Sequence, residues 1–192
     1  MKEVILASAS PRRKELLEKI GLRFKVEPGN YQEAIPSGLA PHELARKISL
    51  EKAKVVARQH PNVIVIAADT FVVFGSQILG KPHTEKEARK MLAAISGQSH
   101  AVITGFSIID TGNNKTLSQS VETKVYIRKL SRAEIDAYVK SKEPLDKAGA
   151  YAIQGLGAVF VEKIEGDYFN VIGLPLSALT EALKEFDIEI LK

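Results

Sequence analysis

The run Asn62–Ala68 (NVIVIAA), followed directly by Asp69, narrows the possible folds of this chain more than any other segment. A strand with one wet face alternates apolar and polar side chains, and this one does not. Near-continuous apolar residues fit a strand covered on both faces, the pattern of an α/β sheet with helices packed over it. The flanking patterns agree. Pro41–Gln59 predicts a helix with Leu44, Ile48, Val55 and Val56 in one stripe, and Pro61 stops it. Thr84 with Glu87 three residues later predicts a capped helix ending near Ile95.

The remaining pattern is mixed throughout. Glu3–Ala7 (EVILA) is a strand, followed by a helix capped by Ser10 with Pro11 in its first turn and Gly21 at its end. Phe24–Val26 is a short strand, and Phe71–Phe74 with Gln77–Leu79 is a hairpin around Gly75. Two β-rich stretches meet at Gly112-Asn113-Asn114 as a long hairpin. Ser131 with Glu134 caps a helix to Lys140, and Pro175 opens the last helix, through Phe186. Ala158–Ile164 and Tyr168–Val171 read as strands. No repeat or low-complexity linker interrupts the pattern, so a single α/β domain over residues 1–192 is expected.

Composition excludes several chemistries. The absence of cysteine rules out a disulfide scaffold, a Cys-ligated metal and a cysteine nucleophile. The four histidines show no HExxH or zinc-like spacing. A net charge of +4 suits a phosphate-rich ligand but does not choose between a small molecule and nucleic acid. Val4–Ala7 is too short for a secretory h-region, and no segment approaches the ~20 apolar residues of a membrane span. Cytoplasmic location and no membrane partner are therefore expected.

The informative residues are charges set into apolar stripes. Arg13 points with Leu17 and Ile20, and Lys52 falls between Ile48 and Val56. Either alone is accounted for by snorkelling along a core edge; two basic residues on separate helices favour a shared anionic partner. Asp69 ends the apolar strand, where a carboxylate holds a divalent cation, orients water, or merely caps a turn. Glu33 lies in a polar loop-like segment, and Lys81 stands between Gly80 and Pro82, which would hold its stem. In AGAYAIQGLGAVF, glycines bring backbone N–H groups close to a ligand while the Gln154 amide both donates and accepts. Ser8 and Ser10 lack a GxSxG elbow and better suit phosphate oxygens at a helix start. Together these residues are a kit for metal-assisted attack on a nucleotide polyphosphate. The competing reading is a nucleic-acid-binding or regulatory protein with a non-catalytic nucleotide pocket. The lack of a basic cluster interleaved with aromatics weighs against it, and no nucleic-acid partner is expected.

LASASPRRKELL, the Glu33 segment, ISLEKAK, VIAADT, LGKP, KAGAYAIQG and GDYFNVIGLPL, in that order, resemble the Maf family of nucleotide pyrophosphatases. The resemblance implies an elongated two-lobed α/β body of mixed sheet around a central cleft, similar to the inosine triphosphate pyrophosphatases, and a homodimer. It implies hydrolysis of a nucleoside triphosphate between the α and β phosphates with Mg²⁺ or Mn²⁺. Carried over, Asp69 is the catalytic proton acceptor and Glu33 the second carboxylate, with both as candidate metal ligands. Ser8, Ser10, Arg13, Lys52 and Lys81 fall on phosphate-handling positions. Arg12, Thr70 and Gln154 match the trio marking the branch that acts on dTTP and UTP.

Overall fold

The computed structural model describes residues 2–31 and 38–191. Seven strands run in the order β2-β1-β3-β5-β6-β7, with β4 paired to β3. They are β1 (Glu3–Leu6), β2 (Lys25–Val26), β3 (Val63–Phe74), β4 (Gln77–Leu79), β5 (Ser99–Asp110), β6 (Lys115–Ile127) and β7 (Val161–Glu165). The helices are α1 (Pro11–Lys19), α2 (Pro41–Ala57), α3 (Glu85–Ile95), α4 (Arg132–Lys140), α5 (Tyr168–Ile172) and α6 (Leu176–Lys184). Among the described residues no helix is long and apolar enough to cross a membrane. The sheet is mixed: β1 pairs parallel with β2 and β3, whereas β3–β4 and β6–β7 are antiparallel.

The chain divides into two compact units, and β3, β5 and β6 contribute to both. The first comprises Met1–Asp69, Thr104–Val121 and Gly173–Lys192. Here the uninterrupted apolar run of β3 is buried on both faces, as the sequence requires. Val63, Val65 and Ala67 share one face and pack with Ile5 of β1 against Ala53 and Val56 of α2. Helix and sheet meet closely at Gly105, where a Cβ would fall 2.2 Å from the carbonyl carbon and oxygen of Ala45. Beside this contact a buried hydroxyl chain links α2 to β5 and β6. Ser49 donates to the Arg46 carbonyl, so Ser107 donates to Ser49 at 2.8 Å and Ser118 to Ser107 at 2.8 Å.

The second unit comprises Thr70–Ile103 and Glu122–Ile172. Its core gathers Leu92 and Ile95 of α3, Val125 of β6, and Tyr138 and Val139 of α4. Both expected helix starts form. At α4 the capping box is complete, with Ser131 and Glu134 exchanging side-chain-to-backbone bonds. At α3, Thr84 accepts from the Glu87 N–H, but the Glu87 carboxylate turns instead to the N–H of His83.

Three expectations are corrected. Tyr168–Val171 is helical, not extended: the Asp167 carboxylate accepts the N–H groups of Phe169 (2.7 Å) and Asn170 (3.3 Å), and this cap overrides aromatic and β-branched strand preference. The strand expected from Ala158 begins only at Val161, because Leu156–Phe160 forms a 3₁₀ turn. Ser10 occupies the N-cap of α1 without a side-chain cap bond; Ser8 Oγ instead accepts the Ser10 N–H at 3.2 Å.

Candidate functional site

In the first unit the alternation of β3 decides where Asp69 points. Val63, Val65 and Ala67 face α2, so Asp69, next in the period-2 series, faces it too, while Thr70 turns the other way. Lys52 is one residue before Ala53 on the sheet-facing side of α2. The two meet: Lys52 Nζ donates to Asp69 Oδ1 at 2.6 Å, with only 19% and 13% of the side chains exposed. Lys52 also lies 5.9 Å from the Tyr31 ring centroid. Asp69 Oδ2 makes no bond among the described residues, which leaves one hard oxygen available to a proton or a cation.

The register of the parallel pair brings a second cluster to the same level of the sheet, where β1 ends. Leu6 pairs with Ile66, and the Ala7 N–H donates to the Ile66 carbonyl at 2.8 Å, so β1 ends beside the carboxyl end of the apolar run. Such ends are where ligands bind in α/β sheets. Ser8 follows, buried, and its Oγ accepts from Arg13 Nη1 at 3.1 Å. Arg13 Nε donates to the Gly173 carbonyl at 2.9 Å, so the inward charge on α1 is fixed by a backbone oxygen as well as by Ser8. Ser10 and Arg12 are half-buried at the start of the same helix. Glu33 lies outside the described residues. Among the described residues, no three His, Asp or Glu side chains gather as a metal cage.

In the second unit, three sequence-predicted residues lie on segments that touch one another. Thr70 begins the unit's stretch of β3. Two residues on, Val72 lies against Gly149, where a Cβ would come within 3.0 Å of it. The Gly149 N–H donates to the Gly80 carbonyl at 3.1 Å, tying the Gly80-Lys81-Pro82 turn to the segment that leads to Gln154. Lys81 and Gln154 are both exposed.

The turn carrying Gln154 is held by side chains that sequence reasoning did not single out. Glu143 Oε1 accepts the Gly157 N–H (3.0 Å) and the Tyr138 hydroxyl (2.9 Å), and Oε2 accepts the Leu156 N–H (3.0 Å). Burial by itself would raise the Glu143 pKa. The two N–H groups, the Tyr138 hydroxyl and the Lys147 charge outweigh it and hold the carboxyl below its usual range. Burial, then the Glu143 carboxylate, push the Tyr138 phenol up, so it stays a donor. Gly155, at φ 91° and ψ −154°, occupies a region essentially restricted to glycine. The only sequence signal for this clasp is the glycine spacing itself, because a carboxylate binding backbone N–H groups thirteen and fourteen residues away leaves no local pattern.

A family model described as Maf-like protein matches residues 3–186. The chain belongs to the Maf family. This Maf protein is 50% identical to a dTTP/UTP pyrophosphatase of Methanosarcina barkeri, over 99% of this chain and 97% of the relative. It is 47% identical to a dTTP/UTP pyrophosphatase of Bacillus cereus, over 99% and 93%. Its fold is also that of a HAM1 protein from Coxiella burnetii, with a TM-score of 0.54 and 20% identity over 96% of this chain and 100% of that one. That likeness supports the inosine-triphosphate-pyrophosphatase-like architecture expected from sequence.

Proposed function

We propose that this Maf protein hydrolyses dTTP and UTP between the α and β phosphates, releasing the nucleoside monophosphate and pyrophosphate. The observation that carries the reading is the Lys52–Asp69 pair at the end of the apolar run of β3, beside the Ser8–Arg13 pair that follows β1. The name dTTP/UTP pyrophosphatase carried by relatives at 47–50% identity over nearly the whole chain supports it.

A triphosphate brings several negative charges, and water attack requires that charge to be masked. Arg13 and Arg12 offer planar donors suited to two phosphate oxygens, whereas Lys52 and Lys81 act as point charges on flexible stems. Ser8 and Ser10 add hydroxyls and backbone N–H groups at the start of α1. Lys52 fixes Asp69 through one oxygen and leaves the other to accept the proton of the attacking water or to ligate a cation. As water oxygen bonds to the α-phosphorus, the bridging P–O bond breaks and its electron pair leaves with pyrophosphate. The donor set fits a hard divalent cation: Asp69, with Glu33, would hold Mg²⁺ or Mn²⁺ together with substrate phosphates, and the cation would supply further charge neutralisation. A pyrimidine base offers carbonyls and an N–H that the Gln154 amide and nearby backbone can meet, with Arg12 and Thr70 completing the selective set. Thymine and uracil differ by one methyl, worth ~1–3 kcal/mol, so both are accepted. We further propose that the protein works as a cytoplasmic homodimer on small nucleotides, without nucleic acid.

Incubation with a panel of nucleoside triphosphates and Mg²⁺, with chromatographic identification of products, tests this reading. Monophosphate and pyrophosphate from dTTP and UTP are expected. Orthophosphate as primary product, or a strict purine preference, would overturn it.

A further inference from the structure

Residues 151–155 lie in neither helix nor strand, so the backbone around Gln154 has no ladder to hold it. Side chains from α4 and the turn after it take over. Glu143 collects the N–H groups of Leu156 and Gly157, two and three residues after Gln154. The same carboxylate accepts the Tyr138 hydroxyl. The chain that follows the exposed amide is therefore held by one carboxylate. The space around this clasp is full: a Cβ at Gly155 would fall 2.8 Å from Glu143 Oε2, and one at Gly157 would fall 2.7 Å from the Tyr138 hydroxyl. The Tyr138 ring is itself fixed edge-on to Phe160, with centroids 4.9 Å apart.

We propose that Glu143, acting with Tyr138, is the positioning residue for Gln154 and so a determinant of pyrimidine selectivity. The inference rests on the reading that Gln154 meets the base. A direct phosphate role for Glu143 is disfavoured because its charge has the wrong sign and its oxygens are already committed to three donors. The carboxylate cannot be replaced by its amide. Gln at this position presents one acceptor oxygen and one NH₂ group, so at least one of the three donors loses its acceptor and the turn shifts. A shifted turn degrades contacts to the base while leaving the Ser8, Arg13 and Lys52 contacts to phosphate in place. Selectivity, rather than general turnover, is what the clasp controls.

The test compares E143Q, Y138F, Q154A and the E143Q/Q154A double variant, measuring kcat/KM for dTTP, UTP and GTP with Mg²⁺. Each single variant is expected to lower the dTTP-to-GTP and UTP-to-GTP ratios of kcat/KM by about tenfold. The double variant should be no less selective than Q154A alone, since the two residues act on one contact. NMR-detected exchange of the Leu156 and Gly157 amides should accelerate in E143Q. Should E143Q fail to fold, Y138F carries the test, because Phe keeps the ring against Phe160 and removes only the hydroxyl. Unchanged ratios in E143Q and Y138F beside a selective loss in Q154A would overturn the positioning role and leave base reading intact. So would additive losses in the double variant. Unchanged ratios in Q154A would overturn base reading, and the positioning role with it.

Discussion

Lys52 shows how one contact changes the meaning of a residue. Its place between Ile48 and Val56 is compatible with snorkelling, but its ammonium ends 2.6 Å from Asp69 rather than in open solvent. Lys52→Met keeps the apolar stem and removes the charge. The variant should fold, lose at least about tenfold in kcat/KM, and become less stable, because Asp69 keeps a half-buried charge without its cation. Unchanged kcat/KM in a folded variant would return Lys52 to the role of an edge-covering side chain. Asp69→Asn poses the complementary question. Its amide oxygen still accepts from Lys52, so circular dichroism should be unaltered, while loss of the carboxylate should reduce kcat by about 100-fold or more. Near-normal turnover would exclude both the proton-accepting and the metal-binding roles.

Among elements, those whose cause is local are legible in sequence. The β3 run, the α2 stripe of Leu44, Ile48 and Val56, and the Ser131–Glu134 cap each carry their signal within a few residues and form. However, β3 continues past Asp69 to Phe74, and Val55 is only half-buried. The Ser8–Arg13 and Lys52–Asp69 pairs follow from the same periodicities once β1 and β3 are known to be neighbours. What depends on distant partners is not legible. The helix at Tyr168 needs its Asp167 cap to outweigh strand-forming side chains, and the Gln154 turn needs Glu143 and Tyr138. Gly105 belongs to this second group, since only the fold shows the α2 backbone lying on it. Gly105→Ala should destabilise the protein by about 3 kcal/mol, the upper range for overpacking, because a rigid helix backbone has to move away. Urea denaturation would measure this against Gly80→Ala, where a Cβ meets nothing within 4 Å. Equal shifts in the two variants would show that α2 is free to yield at Gly105.

For the whole molecule, the loss of stability between neutral pH and pH 5 should carry a large contribution from one histidine. His100 is buried, its Nε2 is 2.7 Å from the Tyr151 hydroxyl, and its Nδ1 has no hydrogen-bond partner among the described residues. Burial pushes its pKa down to about 4 from the usual 6.5. The charged form would also place an N–H on Nδ1 with no acceptor, so the folded protein holds a neutral ring. Burial raises the pKa of Tyr151, which therefore stays protonated and does not titrate in this range. Between these two His100 values the unfolded chain binds the proton and the folded chain does not. The stabilisation is thus fully present above pH 6.5 and is lost progressively as pH falls towards 4. The full loss is on the order of 3 kcal/mol, with about 2 kcal/mol of it incurred by pH 5. His100→Gln removes the titrating group while keeping a polar end near Tyr151. Urea unfolding at pH 7 and pH 5 should show a smaller loss of stability in the variant than in the parent, by about that 2 kcal/mol. The variant's lower stability at pH 7 does not enter the comparison, because only the difference between the two pH values is read. Identical pH dependence in both proteins would mean that His100 is already able to charge in the folded state, and the buried neutral ring would have to be abandoned.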